Sequence, residues 1–198
     1  MQFGEVVFRL PDWVVSFLPE CKTAALTVED RMSLVVELAR RNIEHGTGGP
    51  FGAGVFEQET GQLIAPGVNL VEQSNCSIAH AEIIALALAQ MKLSSYDLNA
   101  GARAYDLVTS TEPCAMCLGA IGWCGVRRVV CGARDEDARR IGFDEGSKPI
   151  DWIGSLEGRG IVVLRDVLRE QARAVLEQYA DSGGLIYNTR HRPESSDQ

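Results

Sequence analysis

Two short strings, His80-Ala81-Glu82 and Pro113-Cys114-Ala115-Met116-Cys117, constrain this chain more tightly than its composition does. Their side chains make chemical sense together only if the fold brings two distant helix starts to one point. His80, Cys114 and Cys117 offer one nitrogen and two sulfurs, a donor set that suits zinc. Three protein ligands leave the fourth tetrahedral position to water, which separates a catalytic zinc from a structural one. Glu82 stands two residues beyond the histidine, close enough to move a proton of that water. Pro113 suits a helix start, and a cysteine in a first turn has free backbone N–H groups facing its thiolate. His80 likewise precedes a helical pattern, so two helix dipoles would partly offset the thiolate charge.

A lone C-x-x-C also reads as structural zinc, a redox dithiol or chance. A structural site needs a fourth ligand, yet His45 and His191 stand at a helix end and in the tail, at no recognised spacing. A redox pair needs neither His80 nor Glu82, and a noncatalytic zinc scaffold has no use for Glu82. With zinc and two thiolates formally neutral, Glu82 can accept a water proton and pass it on to a substrate. The H-x-E string followed by P-C-x-x-C resembles the pattern of the zinc-dependent base deaminases, which implies a ring nitrogen as the proton acceptor, attack at an amidine-like ring carbon and expulsion of ammonia.

The remaining composition narrows the setting. The 198 residues suit one compact domain over 1–198, with a core over about 28–180 and a partly disordered tail over 181–198. A net charge of −8 opposes phosphate backbones, leaving Arg127-Arg128, Arg139-Arg140 and Arg190 to Arg192 as the candidates for a basic patch. No nucleic-acid or membrane partner is expected. The first residues lack a cationic start before an apolar run, and no stretch approaches the roughly 18 apolar residues of a membrane helix. Metal-ligand spacing at Cys114 and Cys117 fits a reducing, cytoplasmic setting, with Cys21, Cys76, Cys124 and Cys131 as small buried apolar residues.

Secondary-structure signals alternate along the chain. Thr27 and Asp30 form a capping-box pattern ahead of a helix over 28–45, which Gly46 to Pro50 ends. Runs 51–57 and 63–71 read as an antiparallel pair joined by a polar turn with Gly61. A helix over 79–91, a strand over 104–109, a helix after Pro113, strands over 126–131 and 161–164 and a helix over 166–179 follow. Residues 134–158 read as one long irregular connection. This order calls for an α/β fold, a three-layer αβα arrangement with a mixed, mostly five-stranded sheet covered by helices.

With its zinc motif and its run of elements over residues 28–180, the chain resembles the cytidine and deoxycytidylate deaminase superfamily. Further strings, Gly48-Gly49-Pro50-Phe51, Gly67-Val68-Asn69 and Ile141-Gly142-Phe143-Asp144-Glu145-Gly146, are similar to the bacterial guanine deaminases of that fold, including the type that accepts the triazine ammeline. The resemblance implies Zn²⁺, a homodimer and guanine as substrate. It implies that Phe51 packs on the purine, Asn69 bonds its edge, the Ala81 backbone reads a ring substituent and Glu145 protonates the departing amine. Ordinary readings stand beside these: Phe51 as a core aromatic, Asn69 as a turn cap, and Asp144 and Glu145 as a solvated acidic pair. Trp123 either walls the pocket or fills the core. Tyr187 either closes the site, from its own chain or a partner's, or acts as a hydrophobic latch. The HAE and PCxMC strings also fit a tRNA adenosine deaminase, and cytosine or cytidine is a further alternative substrate.

Overall fold

In the computed structural model, which describes residues 4, 6–18 and 27–188, five strands form one sheet in the order β2-β1-β3-β4-β5. The strands are β1 Gly52–Glu57, β2 Leu63–Val68, β3 Tyr105–Thr111, β4 Arg128–Ala133 and β5 Val162–Leu164. The helices are α1 Asp12–Phe17, α2 Val28–Glu44, α3 Val71–Ser74, α4 Ala81–Leu93, α5 Ala115–Cys124, α6 Asp135–Arg140, α7 Trp152–Glu157 and α8 Arg169–Asp181. β1 pairs antiparallel with both β2 and β3, whereas β3, β4 and β5 run parallel. The mixed sheet follows from chain connection: a tight turn can join only antiparallel strands, and parallel neighbours need a crossover such as α5.

Successive residues of the central strands serve opposite faces. Val55, Leu107 and Val129 pack with α4, α5 and α7, including Ala85, Ile121 and Trp152. Phe56, Val108 and Val130 pack with α2 and α8, including Met32, Val35, Val175 and Leu176. Leu107 and Val108 are both fully buried, and burial of each such side chain stabilises the fold by about 1.5–3 kcal/mol. A slip of one residue would exchange the two faces, so this burial also fixes the register. The expected three-layer α/β fold is therefore present.

Local chemistry sets the element ends. Thr27 Oγ1 accepts the Asp30 N–H at 3.0 Å and Asp30 Oδ2 accepts the Thr27 N–H at 3.4 Å, which closes the capping box of α2. Gly61 turns the β1–β2 connection with φ +67°. Pro66 lies in β2, an edge strand, where the missing N–H interrupts no central ladder. Beyond Val68 the chain leaves the sheet, so β2 is shorter than its apolar run, and Val71 opens the single turn of α3.

The long connection over 134–158 is less irregular than its composition implies. Asp137 accepts the Arg134 N–H at 2.8 Å to start α6, and Asp151 accepts the Gly154 N–H at 2.9 Å to start α7. Both helices have six residues, too few to reveal a helical period. Among the described residues, three of the candidate arginines face carboxylates. Arg128 Nε donates to the buried Asp106 at 2.9 Å, Arg139 pairs with Asp135 at 2.5 Å, and Arg140 lies 3.8 Å from Asp137. Arg190 to Arg192, His191, Cys21 and the end of the tail lie outside the described residues.

Candidate active site

The start of β1, the ends of β2 and β3 and the starts of α4 and α5 meet at one edge of the sheet. Gly67 permits this approach, because a Cβ there would run into the Ala81 carbonyl oxygen and sit 2.7 Å from the Ala85 nitrogen. α4 consequently lies directly on β2. His80 and Cys114 are the N-cap residues of α4 and α5, and neither makes a side-chain cap bond. His80 Nδ1 lies 3.5 Å from Cys114 Sγ and 3.6 Å from Cys117 Sγ. All three donor atoms fall within 4.8 Å of one another. A tetrahedral zinc, with bonds of about 2.05 Å to nitrogen and 2.3 Å to sulfur, spaces those atoms about 3.6 Å apart. The residues therefore fit the ion.

The electrostatics of the cluster also call for a cation. Cys114 drops to about 4, mainly through its hydrogen bond with Cys117 and then through His80. Cys117 is pushed strongly up by that same bond and by burial, so the two sulfurs share one negative charge. Burial pulls the His80 imidazole down, but the Cys114 hydrogen bond and the Glu82 and Glu145 carboxylates outweigh it and hold the ring above its usual value. Burial, followed by the Cys114 charge, raises Glu82 to about 7 and Glu145 to about 8. A divalent ion at the trio would let both thiolates form and relieve this crowding of acids.

A cavity of about 490 Å³ opens beside the trio and is lined by His80, Cys114, Glu82, Glu145, Asn69 and Phe51, among others. Glu82 and Glu145 arrive from separate segments, and each is only 6% exposed. The Glu145 carbonyl accepts the Ala115 N–H at 2.9 Å, which ties its loop to the start of α5 beside the cysteines. Lys148 steadies the same corner by donating to the Pro113 carbonyl at 3.1 Å and pairing with Asp135 at 2.6 Å. Asn69 is fully buried; its Oδ1 accepts N–H groups from Gly49 and Val71 at 3.3 Å each, and its Nδ2 donates to Tyr187 Oη at 2.7 Å. These partners fix the orientation of the carboxamide.

The aromatic wall is a chain of edge contacts. Phe51 and Phe143 are T-shaped with centroids 4.9 Å apart, and Phe143 meets Tyr187 in the same way at 5.2 Å. Tyr187 of this chain also lies edge-on to His80 at 6.5 Å. Asn188 holds the tail to the Glu145 loop, its Oδ1 accepting the Asp144 N–H at 3.0 Å and its Nδ2 donating to the Gly142 carbonyl at 2.6 Å.

Seven of the eight residues singled out for the site meet here, six as cavity lining and Cys117 as the third donor. Ala81 is fully buried over Gly67 and is not among the lining residues. Its N–H belongs to the first turn of α4, where backbone donors lack intrahelical acceptors. Trp123 neither walls the pocket nor fills the core: it is 82% exposed, because Cys117, Ile121 and Cys124 take the inward stripe of α5. Cys76 is half-buried at the cavity, where Asn75 turns left-handed after α3, whereas Cys124 and Cys131 are buried as expected. His45 stacks on Trp13 at 5.2 Å, outside the cavity lining. Phe143, Thr111, Glu112 and Asn188 also line the cavity; of these only Phe143 belongs to a string that carries the resemblance, the one that holds Glu145.

Residues 27–133 match the family described as the cytidine and deoxycytidylate deaminase zinc-binding region. The chain is 41% identical to the guanine deaminase of Bacillus subtilis (strain 168) over 117 residues, 59% of this chain and 71% of that protein. A solved guanine deaminase from Nitrosomonas europaea superposes with a TM-score of 0.85 at 48% identity, covering 91% of this chain and 99% of that one. A mutant of NE0047 in complex with 8-azaguanine gives the same TM-score of 0.85 at 48% identity, over 92% of this chain and 99% of that one. This chain belongs to the cytidine and deoxycytidylate deaminase family.

Proposed function

We propose that the protein is a zinc-dependent guanine deaminase that hydrolyses guanine to xanthine and ammonia. The observation that carries this reading is the convergence on one cavity of the His80, Cys114 and Cys117 donors, two buried carboxylates and the fixed Asn69 amide. Similarity to guanine deaminases over nearly the whole chain supports guanine over other amino-heterocycles.

When bound by His80, Cys114 and Cys117, zinc supplies a Lewis-acidic position at which water loses a proton near neutral pH. Glu82 takes that proton and delivers it to a ring nitrogen of the base. Phe51 packs on the purine ring, Asn69 hydrogen-bonds its edge, and the Ala81 N–H reads a ring substituent. As the water oxygen bonds to the amino-bearing carbon, Glu145 gives a proton to the departing amine; the C–N bond then breaks to release neutral ammonia, and the added hydroxyl returns its proton to Glu145 as the new carbonyl forms. Burial favours the protonated form of Glu145 and suits it to this role. Ammeline presents the same amino-bearing carbon between ring nitrogens and is proposed as a side substrate.

Thiolate ligands suit a reducing cytoplasm. A homodimer belongs to the same reading, supported by the exposed apolar Met91 of α4 and Trp123 of α5. Sedimentation reads the assembly directly, and a monomer mass at micromolar concentration contradicts the dimer. A tRNA substrate is disfavoured by the net charge of −8, which opposes phosphate neutralisation.

A panel of guanine, ammeline, cytosine, cytidine, deoxycytidylate and a tRNA bearing adenosine tests the assignment by ammonia release. Guanine is expected to show the highest kcat/KM. Turnover of another member without guanine turnover defeats the reading.

A further inference from the structure

Asn42 lies on α2 in the core-facing series Val35, Leu38, Ala39 and Asn42, is fully buried, and is not among the residues lining the cavity. An apolar residue there would avoid the cost of burying a carboxamide, which is tolerable only when every polar atom is partnered. Here every atom is. Asn42 Nδ2 donates to the Gly49 carbonyl and the Asn69 carbonyl, both at 2.9 Å, and its Oδ1 accepts from Thr47 Oγ1 at 2.7 Å. Thr47 Oγ1 accepts in turn from Trp13 Nε1 of α1 at 3.0 Å.

The direction of this relay is fixed by the groups themselves. An indole N–H can only donate, so the Thr47 hydroxyl proton is free for Asn42 Oδ1. The two facing carbonyl oxygens can only accept, so Asn42 must turn its NH₂ towards Gly49 and Asn69. The relay therefore runs from α1 through Thr47 and Asn42 to the two backbone segments beneath the Asn69 side chain. Gly49 closes the loop by donating its N–H to Asn69 Oδ1 at 3.3 Å. The segments are already tightly apposed, since a Cβ at Gly48 would run into the Asn69 carbonyl oxygen.

We propose that Asn42 is a positioning residue for substrate recognition: by joining the Gly49 and Asn69 carbonyls it sets the direction in which the Asn69 carboxamide meets the substrate edge. The inference rests on the substrate-reading role proposed for Asn69. A residue serving only as a staple between helix and loop would influence stability alone. A positioning residue changes KM while leaving the proton-transfer machinery, and hence kcat, nearly intact.

The test uses the zinc-loaded full chain and compares KM and kcat. Asn42→Asp keeps the side-chain size but turns an oxygen towards two carbonyls, and it is expected to raise KM about tenfold while kcat changes less than about threefold. Thr47→Val breaks the relay one step earlier and is expected to raise KM about threefold, with Thr47→Ser restoring it. This variant decides the matter if Asn42→Asp fails to fold. Combining Asn42→Asp, or Thr47→Val in its place, with Asn69→Ala is expected to add nothing to the KM of Asn69→Ala alone, because both changes act on one contact. Unchanged KM with only a lowered Tm, or losses that multiply with Asn69→Ala, overturns the inference. The comparison is made on guanine or, if the parent protein leaves guanine intact, on whichever panel member it deaminates. Absence of guanine turnover thus defeats the guanine assignment separately from the role of Asn42.

Discussion

Glu82→Gln is expected to lower kcat on guanine by about 10³-fold or more, with KM nearly unchanged and zinc retained at one ion per chain. Glutamine has the size and shape to keep the packing of the first turn of α4, where Glu82 is 6% exposed. It cannot accept a proton. Because Glu82 is not one of the three donors, its loss leaves the ligand set whole. Glu145→Gln, which removes the proton offered to the amine, is expected to cost less, about 10²-fold, since the departing amine can take its proton from water. Steady-state kinetics paired with metal analysis reads both variants. Glu82→Gln turnover within tenfold of the parent contradicts the assigned role, and loss of zinc instead of turnover moves Glu82 into the ligand set.

Removal of the metal is expected to abolish turnover and to lower Tm by about 10 °C, on the basis that zinc at roughly a thousand times its dissociation constant adds about 4 kcal/mol of stability. The physical reason is the crowding of acids around the trio. Without a cation, Cys114 and Cys117 share one charge while Glu82 and Glu145 are held towards their protonated forms. Dialysis against a chelator followed by readdition of zinc separates this effect from irreversible damage: both activity and Tm return. Cys117→Ser replaces a fully buried donor and is expected to reproduce the apo protein even with zinc present. A chelated protein that keeps its Tm and its turnover contradicts a metal centre at these residues.

Much of this architecture is legible in the sequence because short-range rules govern it. The spacing of His80 to Glu82 and of Cys114 to Cys117 is local, and each pair rides on one helix start. The capping box at Thr27 and the apolar runs of β1 and β3 are equally local. What escaped depends on chain length or on distant contacts. α1, α3, α6 and α7 have six residues or fewer, so no hydrophobic period accumulates. Trp123 was ambiguous because α5 is apolar nearly all round, and only the packing of Ile121 and Cys124 settles which stripe turns inward. Phe143 gains its place from Phe51 and Tyr187, contacts that no spacing rule encodes. Asn42 did leave a signal: a carboxamide in the core-facing series of α2 asks for buried partners.

The most direct test of guanine hydrolysis at this site is the mass of the product formed from guanine by the zinc-loaded protein in water enriched in heavy oxygen. Xanthine carrying one heavy oxygen, with one ammonia released per xanthine, is the expected result. Unlabelled xanthine, or no xanthine while another amino-heterocycle loses ammonia, would contradict it.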